Sequence, residues 1–194
     1  MRFVLREAQI YSSWRAITWL GRSAALVFLQ ISRYLRQKPP CIPSQSKRRA
    51  STRINLRFPN NSVVMRWLLN DGSEERLAYA SRVLGLLTED SGEALVPGVW
   101  SLEVANVLVK AQAKAWVSEA RASAFVGLLA EMAITVDAST AARALGDTLQ
   151  LARRFKLSSY DAAYLELALR EGLPLATLDA DLQSAMAQIG GALV

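Results

Sequence analysis

Ser158-Ser159-Tyr160-Asp161-Ala162-Ala163-Tyr164-Leu165-Glu166-Leu167-Ala168-Leu169-Arg170-Glu171-Gly172 runs directly into Leu173-Pro174-Leu175-Ala176-Thr177-Leu178-Asp179. The first part predicts a helix over residues 160–171, with Asp161 in its first turn and Gly172 as the glycine that follows a helix end. The second predicts a short buried strand over 173–177, closed by an acid two residues on. Working outward, residues 181–189 predict a helix and 192–194 a last strand. Upstream, 134–136 predicts a strand and 139–155 a helix. Further back come a strand at 94–97, a helix at 99–115 with Leu102, Ala105, Val109 and Ala113 among its apolar positions, and a helix at 119–132 capped by Ser118. Residues 73–89 carry Leu77, Ala80, Val83, Leu84 and Leu87 at helical spacing. Residues 62–65 predict a strand end running into a helix at 66–69. Short apolar strands alternating with helices indicate an α/β fold, an open parallel sheet flanked by helices on both faces. Ligand sites in such sheets lie beyond the carboxyl ends of the strands.

Composition narrows the chemistry. The chain has 194 residues, no histidine and one cysteine, Cys41. Serine or cysteine nucleophile systems that need a histidine base are excluded. So is a structural zinc site, for want of its nitrogen and sulfur ligands. A single cysteine forms no internal disulfide, and a reducing cytoplasm is the expected compartment. What remains is chemistry on carboxylates, hydroxyls, amides and cations, and carboxylates without histidine suit a hard cation such as Mg2+ or Mn2+.

Charge divides the chain. Residues 1–57 hold 12 Lys/Arg against one acid, Glu7, while residues 58–194 hold 11 against 16, so the overall +6 comes from the first segment. That segment is apolar over 17–31 but interrupted by Gly21 and Arg22, too short for a membrane span of about 20 residues. Its arginine-rich, acid-poor start also resembles an organellar transit peptide. Pro39, Pro40, Pro43 and Lys47-Arg48-Arg49 read as a basic linker. The expected organisation is a basic extension at 1–57, disordered or foreign to the native product, and a folded domain at 58–194.

Three acids stand at element ends where a parallel sheet gathers side chains: Glu103 in Trp100-Ser101-Leu102-Glu103-Val104-Ala105-Asn106, Asp161, and Asp179. Asn106 lies three residues after Glu103, on the same helical face. Each acid has a plainer reading. Asp161 complements a helix dipole, Asp179 or Asp181 caps the last helix, and Glu103 is a solvated helix residue. Together they favour a shared cleft, where carboxylates repel unless a divalent cation neutralises them. Such a cation binds phosphate oxygens and activates water.

These strings resemble the acidic motifs of VapC-type PIN domains, ribonuclease toxins of type II toxin–antitoxin pairs. Residues 100–108 resemble the second motif, 159–168 the third, and 174–179 the fourth. Residues 61–68 resemble the start of the domain. The resemblance covers Asn60 to Val194. It implies a PIN-like parallel sheet and a Mg2+- or Mn2+-dependent endoribonuclease that hydrolyses phosphodiester bonds of tRNA or mRNA. It also implies a homodimer, a cognate antitoxin as partner, and no membrane association. Glu103, Asp161 and Asp179 would hold the metal and activate water. Asn60 completes the metal set, with Ser62 orienting the first motif and Asn106, Thr177 and Asp181 in support.

The first motif departs from the family. Asn60 occupies the aspartate position, without the negative charge a divalent cation wants. Arg57 and Pro59 replace apolar strand residues, and proline argues against a central strand. One expectation is a wrong start or reading frame upstream of Asn60, with the native first strand missing. The alternative function is a weakened or inactive PIN domain that binds antitoxin or RNA without cleavage. A haloacid-dehalogenase-like phosphatase is remoter, since it needs an aspartate nucleophile after the first strand. Arg66, Arg153, Arg154 and Lys156 are candidate phosphate contacts, and Trp67, Trp100 and Trp116 are candidates for base stacking or, more ordinarily, for core or dimer packing.

Overall fold

The computed structural model describes residues 55–88 and 92–194. The basic segment lies almost wholly outside these residues, and with it the expectations for its linker and its apolar stretch.

Four strands form one parallel sheet: β1 (Asn55–Pro59), β2 (Gly92–Pro97), β3 (Ile134–Asp137) and β4 (Leu175–Ala176), in the order β3-β2-β1-β4. Helices connect them. α1 (Asn61–Leu69) and α2 (Glu74–Thr88) follow β1, and α3 (Trp100–Ala113) and α4 (Glu119–Glu131) follow β2. After β3 come α5 (Thr140–Arg143), α6 (Leu149–Phe155) and α7 (Ser159–Glu171), and after β4 comes α8 (Ala180–Ile189). The chain steps outward from β1 to β3, then crosses back to the far side of β1. Right-handed crossovers therefore put the two sets of helices on opposite faces, and α2 and α7 both pack on β2. The expected α/β class, a parallel sheet with helices, is what forms.

β1 overturns the objection raised by Pro59. Asn60 N–H donates to Ala176 O at 2.9 Å, so its neighbour Pro59 has its nitrogen on the β2 side. Pairing with β2 ends at Arg57↔Ala94, two residues earlier. The missing proline donor therefore costs no ladder bond. Residues 62–65, expected as a strand end, are helical instead. Asn60 caps α1 by accepting from Ser62 N–H at 2.8 Å, which starts the helix at once. The helix expected over 139–155 is broken at Gly146 (φ −108°, ψ −107°), inside a π-type turn at Ala144–Thr148. Glycine tolerates that backbone at a point where most side chains would hold the helix straight. The last strand reduces to one bridge, Leu175↔Leu193.

The core is continuous across both faces, with Val63, Val64, Leu84, Leu165, Leu175 and Leu182 fully buried. Trp67 and Trp100 belong to it. Trp67 Nε1–H donates to Ala80 O at 2.8 Å and ties α1 to α2. On α3 the core takes Trp100, Val104, Leu108 and Ala111. The stripe named from the sequence faces outward, with Leu102 73% and Val109 64% exposed. Both stripes are apolar at helical spacing, and the one carrying the largest ring wins the interior because it buries the most surface.

Gly92 opens β2 where a Cβ would stand 2.5 Å from Leu86 O and 2.7 Å from Leu87 C and O. All these atoms are backbone and cannot yield cheaply. Gly92→Ala is expected to destabilise the domain by about 1–3 kcal/mol. The check is a lowered urea midpoint with an unchanged slope.

A charged cluster that sequence reading missed joins β3 to α7. Arg170 lies 2.9 Å from both Asp137 Oδ2 and Glu166 Oε1, and Arg143 reaches Glu166 Oε1 at 3.5 Å. Glu166 and Asp137 are nearly buried. Burial alone would raise the Asp137 carboxyl, but hydrogen bonds from Thr140 and Ser139 and the Arg170 charge hold it below its ordinary range. Arg170→Met leaves the nearly buried Asp137 without a cation and Glu166 with Arg143 alone, and is expected to cost about 3 kcal/mol at neutral pH. A folded-state pKa below the unfolded one stabilises above the unfolded value and loses that contribution as pH falls. The deficit of the variant should therefore shrink in thermal melts taken below the carboxylate range.

Candidate active site

The site lies where the strand order reverses, between β1 and β4 at their carboxyl ends, the position at which open parallel sheets bind ligands. Two side chains lace the ends together. Ser62 Oγ accepts from Leu178 N–H at 3.0 Å, and Asn60 Oδ1 accepts from Ser62 N–H. Asn60 itself is buried. Its oxygen must face an N–H donor, which fixes the amide orientation and leaves Nδ2, a donor, as the remaining polar atom.

Glu103 and Asp161 come together from α3 and α7. Asp161 sits in the first turn of α7, its backbone N–H donating to Ser158 Oγ at 3.1 Å while the Ser158 hydroxyl donates to Asp161 Oδ2 at 2.6 Å. Glu103 is half-buried rather than solvated, and its Oε2 accepts from the Tyr164 hydroxyl at 2.5 Å. Burial raises the Glu103 carboxyl above its ordinary range. The Tyr164 hydrogen bond offsets part of that, and the charge of Asp161 raises it again. Tyr164 is fully buried, and its phenol is pushed far up by burial first and by the Glu103 charge second.

The other candidates are placed differently. Asp179 caps α8, its Oδ1 accepting from Leu182 N–H at 2.9 Å, which is the plainer of its two sequence readings. Thr177 is fully buried. Its Oγ1 accepts from Asp179 N–H at 3.1 Å, and its carbonyl accepts from Gln183 Nε2 at 2.8 Å. Asn106 and Asp181 are exposed. Among the described residues no three His, Cys, Asp or Glu side chains are grouped closely enough to hold a metal ion. Arg66 is engaged by Asp71, and Trp116, 62% exposed, carries Lys114 Nζ over its ring at 4.5 Å. Tyr164 was missed as a site residue, although its spacing three residues after Asp161 puts both on one face of α7.

The sequence profile of the family described as PIN domain matches residues 61–187. The chain belongs to the PIN domain family. Membership implies a nuclease-like function, and nucleases of this kind generally use divalent metal ions. No curated protein matches the chain. Among solved structures, the PIN domain here is similar to the crystal structure of PAE2754 from Pyrobaculum aerophilum, at 18% identity and a TM-score of 0.49, over 74% of this chain and 91% of that one.

The donor set fits a hard divalent cation. Glu103 and Asp161 are oxygen ligands that repel each other, and among the described residues no Lys or Arg is ion-paired with Glu103, Asp161 or Asp179. By contrast, the Asp137–Glu166 cluster has its arginines. A carboxylate pair left without a protein cation is where a metal contributes most. Among the described residues no helix is long and apolar enough to cross a membrane.

Proposed function

We propose that this PIN domain is a metal-dependent endoribonuclease of the VapC type, the toxin of a toxin–antitoxin pair, hydrolysing phosphodiester bonds of tRNA or mRNA. The observation that carries the reading is the convergence of Glu103 and Asp161, from separate helices, with no protein cation paired to either among the described residues. Glu103 and Asp161 would hold Mg2+ or Mn2+, with the free oxygen of Asp179 at the edge of the set. The cation supplies charge neutralisation at the scissile phosphate and a more acidic water. Glu103 and Asp161 would orient the attacking water and take up its proton. Ser62 and Thr177 hold the backbone that follows β4 and carries Asp179.

A homodimer and a cognate antitoxin are the proposed protein partners. Leu102 and Val109 on α3 support a protein contact, being large apolar residues left facing solvent. The proposed compartment is the cytoplasm, supported by the single cysteine.

Asn60 favours a second reading, a domain that binds RNA or antitoxin without cutting. Its one oxygen is committed to Ser62 N–H, so it offers an amide where the motif has a carboxylate. The experiment that separates the readings is cleavage of a mixed tRNA pool by purified protein with and without Mg2+ or Mn2+, beside Asp161→Ala and Asn60→Asp. Metal-dependent cutting lost in Asp161→Ala supports the nuclease. No cutting by any folded variant supports the binding domain.

A further inference from the structure

Tyr164 joins two helices at one hydroxyl. The ring is wholly buried on α7, one helical turn beyond Asp161. Its O–H donates to Glu103 Oε2 on α3, 61 residues away in sequence. The phenol therefore ties α7, which carries Asp161, to α3, which carries Glu103. The ring has no exposed surface, so packed neighbours enclose it on every side.

A carboxylate on a helix rotates about three side-chain bonds, and nothing on α3 itself fixes Glu103. On its own helix Glu103 bonds through its backbone alone, Glu103 N–H donating to Val99 O at 3.1 Å. Tyr164 supplies the missing restraint. With Oε2 held by the phenol, Oε1 is the oxygen left to a ligand. We infer that Tyr164 is a positioning residue that fixes Glu103 for divalent-cation binding. The inference rests on the nuclease reading of the same pocket. Groups that hydrogen-bond a metal ligand from behind commonly change metal affinity by about 10–100-fold when removed.

The test is Mn2+ binding to the full chain without RNA, by titration calorimetry, together with the Mn2+-induced shift in melting temperature. Tyr164→Phe keeps the ring and removes only the hydroxyl. The expected result is an affinity for Mn2+ lower by about tenfold or more, with a smaller Mn2+-induced shift. In a Glu103→Gln background the same change should have no further effect, because it acts through the carboxylate. Tyr164→p-aminophenylalanine, which restores a donor at that place, should recover the parent affinity and also serves if the phenylalanine variant folds poorly. Parent-like Mn2+ affinity in Tyr164→Phe would overturn the inference and leave the nuclease reading standing. A parent chain that binds no Mn2+, and is indifferent to Asp161→Ala, would overturn both.

Discussion

Asp161→Ala is expected to lower metal-dependent RNA cleavage by about 10²–10³-fold, the usual effect of removing one preorganised electrostatic group from a hydrolytic site. The loss should be in chemistry rather than folding. Ser158 Oγ accepts from the backbone N–H of residue 161, and that bond does not need the aspartate side chain, so the cap of α7 survives. What disappears is the Ser158–Asp161 Oδ2 contact and one negative charge beside Glu103. Single-turnover cleavage with saturating Mn2+, set beside far-UV circular dichroism, checks this. Asp161→Asn sharpens it, because the shape is retained and only the charge is lost. If Asp161→Asn cuts like the parent, charge at this position is not what the site uses.

Asn60→Asp should move activity the other way, raising cleavage and Mn2+ affinity by roughly tenfold or more, since affinity for hard cations follows the charge of the ligands. The geometry is already in place. One oxygen of the new carboxylate can keep the Ser62 N–H bond that Asn60 Oδ1 makes at 2.8 Å, and the second oxygen replaces the amide nitrogen. Without metal, a buried negative charge at residue 60 with no protein cation to offset it is unfavourable. The metal-free variant should therefore melt below the parent, and the order should reverse when Mn2+ is added. Cutting that appears only in Asn60→Asp would mean a competent scaffold that lacks a ligand in this chain. A variant with no gain in Mn2+ affinity would remove Asn60 from the metal set.

Much of this was legible in local sequence. Helix ends were marked by their own chemistry. Ser118 accepts from Arg121 N–H, and Gly172 adopts a left-handed φ of 64°. The α2 stripe Ala80, Val83, Leu84 and Leu87 faces the core as its period requires. The pairing of motif acids with helix and strand ends was readable too, because each acid lies within a few residues of the signal that starts or stops its element.

By itself, then, the sequence determined the alternation of helices and strands, the parallel sheet that follows from it, and, by the absence of histidine, the exclusion of any chemistry that needs an imidazole. Tertiary structure decided the rest, wherever the answer depends on a partner distant in the chain. Both stripes of α3 are apolar, and only packing chose Trp100 and Leu108 over Leu102 and Val109. β1 looks poor in isolation, yet β2 and β4 pair with it on either side, and Pro59 falls where no ladder donor is needed. Tyr164 met Glu103 across 61 residues of chain, a contact set by how α3 and α7 sit on the sheet and carried by no local pattern in either helix.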